Sequence, residues 1–600
     1  MCGISGIFNF LNKSYDFKPT IKNMVNRQNK RGPDNSGIWC SPCNKVFLGH
    51  NRLSIIDLST NGNQPMINSD NEFVITFNGE IYNFKEIKIE LINLGVKFTN
   101  NTDTEVLLES YKYWGINSFS KLRGMYAFSI WDFKKKTLLL ARDPFGIKPL
   151  YYTYKNNVFY FASEVKTITS ATNLSFKKSL NGLMDYYNWG NIQGTNTIFE
   201  NVYSLKAGSY KLIDYSGKET NGTFADIKES ILNSKKIDFE NKIDASLYLR
   251  DIMDETVKYH QVSDVPLTLM LSSGLDSSIL ASSMNNNSNN NSLTMEFSNS
   301  EIKTNENYLA KKTAAINNLK HSLETVSLDQ IDKLLNNFFN NMDLPTNDGL
   351  NTYLISHFAK LKNSKVLISG IGGDELFSGY PSFKRIPVIN RIFDKIPYFI
   401  PLDNLFKNQL FNYLRKFKLN TKYSNLYHHG KNLEKTFFWQ RSLFIENEIK
   451  EIFSDKQFNR EIYNLDLYEN LVNDIKDIEN PKLSIMFLEL KYYLQTKLLR
   501  DSDWTSMSNS IELRTPLIDW TFFQKLIPLL KSNISIDKKF LFNTYKKYLP
   551  NEILKRKKTG FSVPYKDIQK KSFQIESKYN RSIKDWSLLS IKKYSELNQI

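Results

Sequence analysis

The sequence predicts an α+β domain followed by an α/β domain, and three observations support this fold class. Residues 1–210 contain short aromatic and β-branched runs separated by turn residues, which is typical of antiparallel sheet. From residue 241 onward, helical patterns alternate with buried-strand runs, which predicts a parallel sheet and a helical C-terminal part. A chain of 600 residues is too long for one hydrophobic core. We therefore predict domains at 1–210 and 241–600, joined by a connector at 211–240.

The composition argues against a nucleic-acid partner and against a membrane protein. The net charge of +17 comes from 79 basic and 62 acidic residues, but the lysines are scattered, as on a solvated surface. No apolar run reaches the roughly 18 residues of a membrane span. Three cysteines fit a reducing compartment, so we expect a cytoplasmic protein with small-molecule substrates. Cys40 and Cys43 lack the further ligands of a zinc site, and their role is open. The sequence also leaves open whether the protein forms a homodimer.

The first domain begins MCGISGIF, which places a cysteine at position 2. If the initiator methionine is removed, Cys2 carries both a thiol and a free α-amino group. The amine titrates near pH ~8 and can accept the thiol proton, as it does for N-terminal threonine nucleophiles. The alternative is a small apolar residue at the start of a first strand.

Polar residues at strand ends in the same domain suit an attack on an amide. The Asn78 side-chain amide and the Gly79 backbone N–H are donors for a tetrahedral oxyanion. Arg52 can form a two-pronged pair with a carboxylate, and Glu80 and Asp103 can receive an α-ammonium. Each residue alone also fits a turn or a surface charge, but together with the leading cysteine they indicate glutamine as a substrate.

These residues lie in a set of specific motifs. The motifs are MCGISGI, RGPD, GHNRLSIIDL, NGEIYN, TDTEVLL, RGMYAFSIWD and ARDPFGIKPLYY. They resemble the class II glutamine amidotransferase domain, an N-terminal-nucleophile hydrolase with an αββα sandwich. The resemblance implies that Cys2 forms a glutamyl thioester and releases ammonia. It also implies that Asn78 and Gly79 form the oxyanion hole, and that the glutamine-binding residues are Arg52, Glu80 and Asp103.

The second domain contains SSGLDSS at 272–278, between a predicted strand and a predicted helix. N–H groups, serine hydroxyls and the helix dipole converge on phosphate at such a turn. The candidate residues are Ser272, Ser273, Gly274, Asp276 and Ser277. A Walker A pattern is absent, which favours chemistry at the α-phosphate with pyrophosphate held by the loop. Taken alone, the loop also fits an N-cap serine and a glycine turn.

A second carboxylate follows another predicted strand, in ISGIGGDELFSGY at 368–380. In a parallel sheet both loops open at the carboxyl edge, where ligands bind. The Asp276 carboxylate lies in the phosphate loop and would repel a phosphate unless a cation lies between them. We therefore expect Asp276 and Asp374 to share one Mg²⁺ on the triphosphate of ATP.

This half resembles the ATP-pyrophosphatase domain of glutamine-hydrolysing asparagine synthetases, also through SMSNSIELRTPLIDW and LPNEILKRKKTGFSVP. The resemblance implies an ATP-dependent carbon–nitrogen ligase. In this scheme aspartate attacks the α-phosphate, β-aspartyl-AMP forms, and ammonia arriving through an internal tunnel displaces AMP. By the same resemblance, Lys558 steadies the pyrophosphate, and the further ATP contacts are Leu271, Met295, Ser369 and Gly370.

Two positions depart from the family pattern. Ile371 stands where an acidic residue implicated in forming the acyl-adenylate is usual, and Glu296 stands where a glycine is usual. Glu375 or another acid is an alternative source of the missing carboxylate. The leading hypothesis remains asparagine synthesis, and the alternative is the same machinery acting on a uronic acid of a surface polysaccharide. An RNA-modifying ATPase and a binding protein with an inactive ATP site are weaker alternatives, since no cysteine follows Cys43 and both aspartates are present.

Overall fold

The computed structural model describes most of the chain. The described residues are 2–10, 15–171, 174–284, 290–298, 306–396, 400–417, 419–453, 460–555, 563–574 and 582–598.

Two six-stranded antiparallel sheets form the first part of the chain. Their strands are β1 (Cys2–Asn9), β2 (Asn35–Cys40), β3 (Val46–Arg52), β4 (Met66–Ile67), β5 (Phe73–Ile81), β6 (Gly124–Asp132), β7 (Thr137–Arg142), β8 (Tyr151–Lys155), β9 (Val158–Ala162), β10 (Val202–Ser204), β11 (Ser209–Ile213) and β12 (Glu219–Thr223). The first sheet has the order β10-β8-β9-β1-β3-β2, and the second has the order β12-β11-β7-β6-β5-β4.

The two sheets pack face to face and are covered by helices on their outer faces. Helices of this part are α1 (Lys18–Arg27), α2 (Phe84–Asn93), α3 (Asp103–Trp114), α4 (Val165–Ala171), α5 (Leu180–Trp189) and α6 (Ile227–Asn233). Ile4 and Phe8 of β1 share an apolar core with Trp131 of β6 between the sheets. Ile21 of α1 covers the first sheet, and Val106 of α3 covers the second. Strand residues of period two thus supply both an inner and an outer core, and the predicted α+β class is confirmed.

The second sheet continues past the boundary predicted at residue 210. Strands β11 and β12 form a hairpin that pairs with β7, so the predicted connector at 211–240 begins with strand structure. These strands have the polar composition of a linker, because β12 lies at the sheet edge and all five of its residues are partly or fully exposed.

A five-stranded parallel sheet forms the centre of the second part. Its strands are β13 (Leu267–Met270), β14 (Asn291–Phe297), β15 (Lys320–Val326), β16 (Val366–Ile368) and β17 (Glu512–Arg514), in the order β15-β14-β13-β16-β17. After β13, the chain adds β14 and β15 on one side of that strand and later adds β16 and β17 on its other side. The loops after β13 and β16 therefore open side by side at a topological switch point, the usual ligand position in such sheets. The predicted α/β class is confirmed.

Helices surround this sheet and form the C-terminal part. They are α7 (Lys242–His260), α8 (Leu275–Ser283), α9 (Glu306–Ile316), α10 (Leu328–Asn341), α11 (Leu350–Leu361), α12 (Gly373–Leu376), α13 (Ser382–Phe393), α14 (Ile400–Lys416), α15 (Leu426–His429), α16 (Leu433–Arg441), α17 (Glu446–Ile452), α18 (Arg460–Ile475), α19 (Pro481–Glu489), α20 (Arg500–Met507), α21 (Trp520–Leu530), α22 (Lys538–Tyr545), α23 (Glu552–Lys555), α24 (Tyr565–Phe573) and α25 (Ser582–Asn598). A π-helical segment, Leu490–Leu499, joins α19 to α20. Within the described ranges, no helix is both long enough and apolar enough to cross a membrane.

Buried ion pairs join the two parts of the chain. The Arg123 guanidinium contacts the carboxylate of Asp519 at 3.0 Å. Asp503 on α20 receives the guanidinium of Arg31 at 2.8 Å and the ammonium of Lys148 at 3.4 Å. Such buried pairs resist separation, because breaking one leaves an unpaired charge buried away from water. The two sets of candidate residues are therefore held in one arrangement.

Candidate active sites

Cys2 is the first residue of β1, next to the centre of the first sheet. Its pairing partner on β3 is Arg52. The Cys2 side chain is almost fully buried. Its backbone nitrogen donates to Asn78 Oδ1 at 3.0 Å, and its carbonyl oxygen accepts from Arg31 Nε at 3.2 Å. These contacts aim the start of β1 at the end of β5 in the second sheet, where the predicted oxyanion donors lie. Met1 lies outside the described residues.

The Cys2 thiol is not activated by its surroundings alone. Burial raises the pKa of the thiol, while a backbone hydrogen bond from Leu53 and the charge of Arg52 lower it. Since the thiolate is the nucleophilic form, a base has to receive the thiol proton. The nitrogen of Cys2 itself is such a base once it is a free amine.

Asn78 and Gly79 lie on β5, opposite Ala127 and Tyr126 of β6. The Asn78 side-chain nitrogen is buried and has no hydrogen-bond partner among the described residues. An unpaired buried donor is costly, so such a group indicates a ligand atom that completes it. A Cβ at position 79 would lie 2.2 Å from the carbonyl oxygen of Met125, which explains why glycine is needed there. The Asn78 side chain therefore lies beside Cys2, and Gly79 follows it on the same strand.

Two carboxyl groups, those of Glu80 and Asp103, lie next to this end of β5. Asp103 begins α3 and accepts the backbone N–H of Ile81 at 3.0 Å. Burial raises the pKa of Asp103 to about 6. Burial, followed by the charges of Glu512 and Asp103, raises the pKa of Glu80 well above its usual value. Two buried acids, one of which raises the pKa of the other, form a site that a cation, such as an α-ammonium, would stabilise.

Arg52 lies beside Cys2, but its guanidinium faces a loop. It donates to the carbonyl oxygens of Ser59 at 2.6 Å and Asp57, and to Asn63 Oδ1 at 3.1 Å. These bonds use three of the five N–H groups that a guanidinium offers. Only the remaining N–H groups are available for the carboxylate contact predicted from the sequence, because the turn at 57–63 holds the rest.

The predicted phosphate loop lies between β13 and α8. Ser272 Oγ accepts the backbone N–H of Gly274 at 3.1 Å and lies 2.9 Å from Ser277 Oγ, which closes the turn. The Ser273 hydroxyl is buried and has no hydrogen-bond partner among the described residues. This hydroxyl and the first N–H groups of α8 form a cradle of donors of the kind that binds phosphate oxygens.

The carboxylates of Asp276 and Asp374 converge on one ammonium group. Lys538 at the start of α22 contacts Asp276, and its Nζ lies 3.1 Å from Asp374 Oδ1. The two charges raise the pKa of Lys538 against the effect of burial. Two carboxylates that share one cation in this way fit the predicted Mg²⁺, with phosphate oxygens and water completing its shell. No motif or spacing pointed to Lys538, which lies 262 residues from Asp276.

The other predicted ATP contacts border the same loop. Gly370 packs so closely on it that an added Cβ would lie 3.0 Å from the backbone nitrogen of Ser277. The N–H of Ser369 is donated to the carbonyl oxygen of Arg514 at 2.9 Å. Leu271, directly after β13, and Met295, within β14, are both buried. Lys558 lies outside the described residues.

The two departures from the family pattern have different settings. Ile371 is half-buried and packs on the apolar core, so this position supplies no carboxylate. Glu296 accepts a hydrogen bond from the Thr325 hydroxyl at 3.1 Å. Glu375 is buried on α12 and accepts the Tyr380 hydroxyl at 2.8 Å. Burial, followed by the charge of Asp374, raises the pKa of Glu375 to about 7.

Comparisons with known proteins match both parts of the chain. The family profile of a glutamine amidotransferase domain matches residues 1–224, and that of asparagine synthase matches residues 248–585. Glutamine-hydrolyzing asparagine synthetase 1 of Bacillus subtilis (strain 168) is 31% identical over 574 residues, 94% of this chain and 87% of that protein. Asparagine synthetase 3 of the same strain is 27% identical over 631 residues, 100% of this chain and 93% of that protein.

Proposed function

The chain belongs to the asparagine synthase family, and from this premise we propose that it makes asparagine from aspartate, glutamine and ATP. As a member of that family it is an ATP-dependent ligase that takes nitrogen from glutamine. The contact that carries most weight is the hydrogen bond between the Cys2 nitrogen and Asn78, at 3.0 Å. It joins the nucleophile and its base to the side chain that carries the buried unpaired donor.

The proposed glutaminase reaction uses groups of the first part alone. The Cys2 sulfur attacks the amide carbon of glutamine, and the thiol proton passes to the α-amino group of the same residue. The oxyanion accepts hydrogen bonds from Asn78 Nδ2 and the Gly79 N–H. The amine then returns its proton to the leaving nitrogen, and ammonia departs. Water hydrolyses the thioester to glutamate, while Glu80 and Asp103 hold the α-ammonium.

The proposed synthetase reaction takes place at the edge of the parallel sheet. A carboxylate oxygen of aspartate attacks the α-phosphorus of ATP, pyrophosphate leaves, and β-aspartyl-AMP forms. Ser273 and the N–H groups at the start of α8 hold the pyrophosphate. Asp276 and Asp374 would hold Mg²⁺, which neutralises phosphate charge when bound. Ammonia then attacks the acyl carbon, AMP leaves with the electron pair of the broken carbon–oxygen bond, and the attacking nitrogen loses one proton to water to give the amide.

Product analysis tests this function directly. Purified protein is incubated with ATP, glutamine and Mg²⁺ together with aspartate, and in a parallel reaction with glucuronate in its place. AMP is quantified, and the aminated product is identified by mass spectrometry. We expect AMP and asparagine in equal amounts only with aspartate. AMP formation that depends on the uronate and not on aspartate would overturn the proposal.

A further inference from the structure

A cavity of about 630 Å³ lies between the two parts of the chain. On the side of the first part its wall includes α5 and the segment 192–196, and on the side of the second part it includes the π-helical segment and the start of α20. None of the residues assigned above to the glutamine pocket or to the nucleotide loop lines this cavity. Cavities of this size at the junction of two domains are typical ligand sites.

Asp185 on α5 brings to the cavity a carboxylate without a cationic partner. Its Oδ2 accepts the backbone N–H of Gln193 at 3.2 Å and lies 3.5 Å from Asn196 Nδ2. Within the described part of the chain, its Oδ1 accepts no hydrogen bond, and no ammonium or guanidinium lies within ion-pair distance. Burial raises the pKa of Asp185 to about 7. A cationic group of a ligand would stabilise the ionised form of this carboxylate.

The other charged side chains of the cavity are already engaged. The three lysines that line it pair with carboxylates: Lys206 with Asp226 at 3.6 Å, Lys228 with Asp477 at 2.6 Å, and Lys491 with Asp474 at 2.6 Å. The Arg142 guanidinium donates to three backbone carbonyl oxygens and to one serine hydroxyl. A phosphate or another polyanion needs several available cations, so the cavity does not suit such a ligand.

Arg500 is a cation of the cavity that keeps unused donors. Its Nε and Nη2 donate to Asp501 Oδ1 at 3.2 and 3.3 Å, and its Nη1 lies 3.5 Å from the carbonyl oxygen of Ile192. A guanidinium has five N–H groups, so two of them are not used by the described residues. A guanidinium with free N–H groups binds a carboxylate through charge-assisted hydrogen bonds.

Asp185 and Arg500 contact opposite ends of the same peptide group, the one that joins Ile192 to Gln193. The oxygen and nitrogen of a peptide group are ~2.3 Å apart, so Asp185 Oδ2 and Arg500 Nη1 are separated by at most about 9 Å. Charge-assisted hydrogen bonds of ~2.8 Å at both ends leave room for ligand charges about 3 Å apart. This is the spacing of the ammonium and the carboxylate in an α-amino acid, whereas a dipeptide adds about 3.5 Å.

Asn188 adds an acceptor to the same wall. It lies three residues after Asp185 on α5, lines the cavity and is buried. Its side-chain oxygen is buried and has no hydrogen-bond partner among the described residues. Buried acceptors are normally paired. A hydroxyl or amide group in the side chain of a ligand would supply the missing donor.

We propose that this cavity binds a free α-amino acid with a hydrogen-bond donor in its side chain. Asp185 binds the α-ammonium, Arg500 binds the α-carboxylate, and Asn188 accepts the side-chain donor. The site is separate from those proposed for the substrates, and it does not depend on which carboxylate the protein amidates. Since Asp185 belongs to the first part and Arg500 to the second, the bound amino acid contacts both parts of the chain.

Isothermal titration calorimetry of the full chain, without ATP or glutamine, tests the inference. The ligands are L-serine, L-threonine and L-asparagine, with L-alanine as the amino acid that lacks a side-chain donor. We expect at least one of the three to bind more tightly than L-alanine. Its N-acetyl derivative, which lacks the ammonium, and its α-amide, which lacks the carboxylate, should each bind about 10- to 100-fold more weakly.

Variants locate this binding within the molecule. Asp185→Asn should weaken it about 10- to 100-fold. Asp474→Asn is the matched control and should leave the affinity unchanged, because this aspartate lines the same cavity but already pairs with Lys491. Thermal unfolding shows whether each variant is folded.

Three results would overturn the inference. They are the absence of binding by all three amino acids, equal affinity for the amino acid and its N-acetyl derivative, and unchanged affinity in folded Asp185→Asn. An equal loss of affinity in Asp474→Asn would also contradict the assignment of Asp185. If Asp185→Asn does not fold, the comparison of the three amino acids with their derivatives on the wild-type protein decides.

Discussion

The guanidinium of Arg514 lies 4.0 Å from the carboxylate of Glu80. Glu80 belongs to the proposed glutamine pocket, whereas the carbonyl oxygen of Arg514 accepts the N–H of Ser369 at the proposed nucleotide loop, at 2.9 Å. One buried residue of β17 therefore touches both candidate sites. Arg514 therefore links the two candidate sites through one ion pair and one backbone hydrogen bond.

Loss of the leading thiol should separate the two reactions. Cys2→Ala should lower glutamine-dependent synthesis by about 10⁴-fold, because the nucleophile is missing, while synthesis with free ammonia persists. The measurement is asparagine formation with each nitrogen donor. Cys43→Ala, which removes an exposed thiol, is the control and should change neither activity. Failure of ammonia to support synthesis in Cys2→Ala would contradict the two-site scheme.

Loss of a carboxylate at the nucleotide site should have the opposite effect. Asp276→Asn should reduce AMP formation by about 10²- to 10³-fold, since the charge that holds the cation is gone, and leave glutaminase activity intact. Chelation of Mg²⁺ in the wild-type protein should do the same. Asp329→Asn changes an exposed aspartate that pairs with Lys571 and should have no effect. Full AMP formation by Asp276→Asn would refute the cation assignment.

The affinity for glutamine should depend on the charge of Asp103. Its carboxyl, with a pKa of about 6, is ionised above that pH and neutral below it. Attraction for the α-ammonium is therefore lost as the pH falls through about 6, and KM for glutamine should rise by up to about tenfold per pH unit. Glutaminase assays from about pH 5 to pH 8 measure this. In Asp103→Asn the KM should be high throughout; a flat profile in the wild-type protein would rule the role out.

Truncation of Arg514 should destabilise the fold. Besides Glu80, its guanidinium contacts Glu512 at 2.5 Å and the carbonyl oxygens of His260 and Val262 at 2.8 and 2.7 Å. Arg514→Met leaves two carboxylates buried near each other, at a cost of about 3–5 kcal/mol.

Thermal unfolding provides the comparison for that variant. Lys365→Met breaks another ion pair between the two parts, with Asp34 at 2.8 Å, but this pair is partly exposed and is expected to contribute less than about 1 kcal/mol. The Tm of Arg514→Met should fall well below that of Lys365→Met. Equal shifts in Tm would show that the Arg514 ion pairs contribute no more to the free energy of unfolding than the partly exposed Lys365–Asp34 pair.

The sequence predicted the features that local chemistry determines. SSGLDSS could be read as a phosphate loop because the strand, the serines and the following helix are contiguous. Asn78 and Gly79 are predicted as oxyanion donors because an amide side chain and an unobstructed backbone N–H are adjacent in the sequence, and this role stays a prediction. Asp276 and Asp374 were paired by the rule that neighbouring parallel strands open at one edge.

Residues brought in from distant segments were not predictable. Lys538 and Asp276 are 262 residues apart, and no periodicity or motif links them. The orientation of Arg52 was not predictable either, because the carbonyl groups of the turn at 57–63 compete for its guanidinium. The strands at 209–223 were missed because edge residues exposed to water resemble a linker in composition.

An isotope experiment tests the central claim that one chain makes ammonia at Cys2 and delivers it to activated aspartate. The protein is given glutamine labelled with ¹⁵N in its amide, aspartate, ATP, Mg²⁺ and an equal concentration of unlabelled ammonium, and the mass of the asparagine formed is measured. We predict that most of the asparagine carries ¹⁵N. Asparagine in which the label is diluted to the level of the free ammonium pool, or the absence of asparagine, would contradict the account.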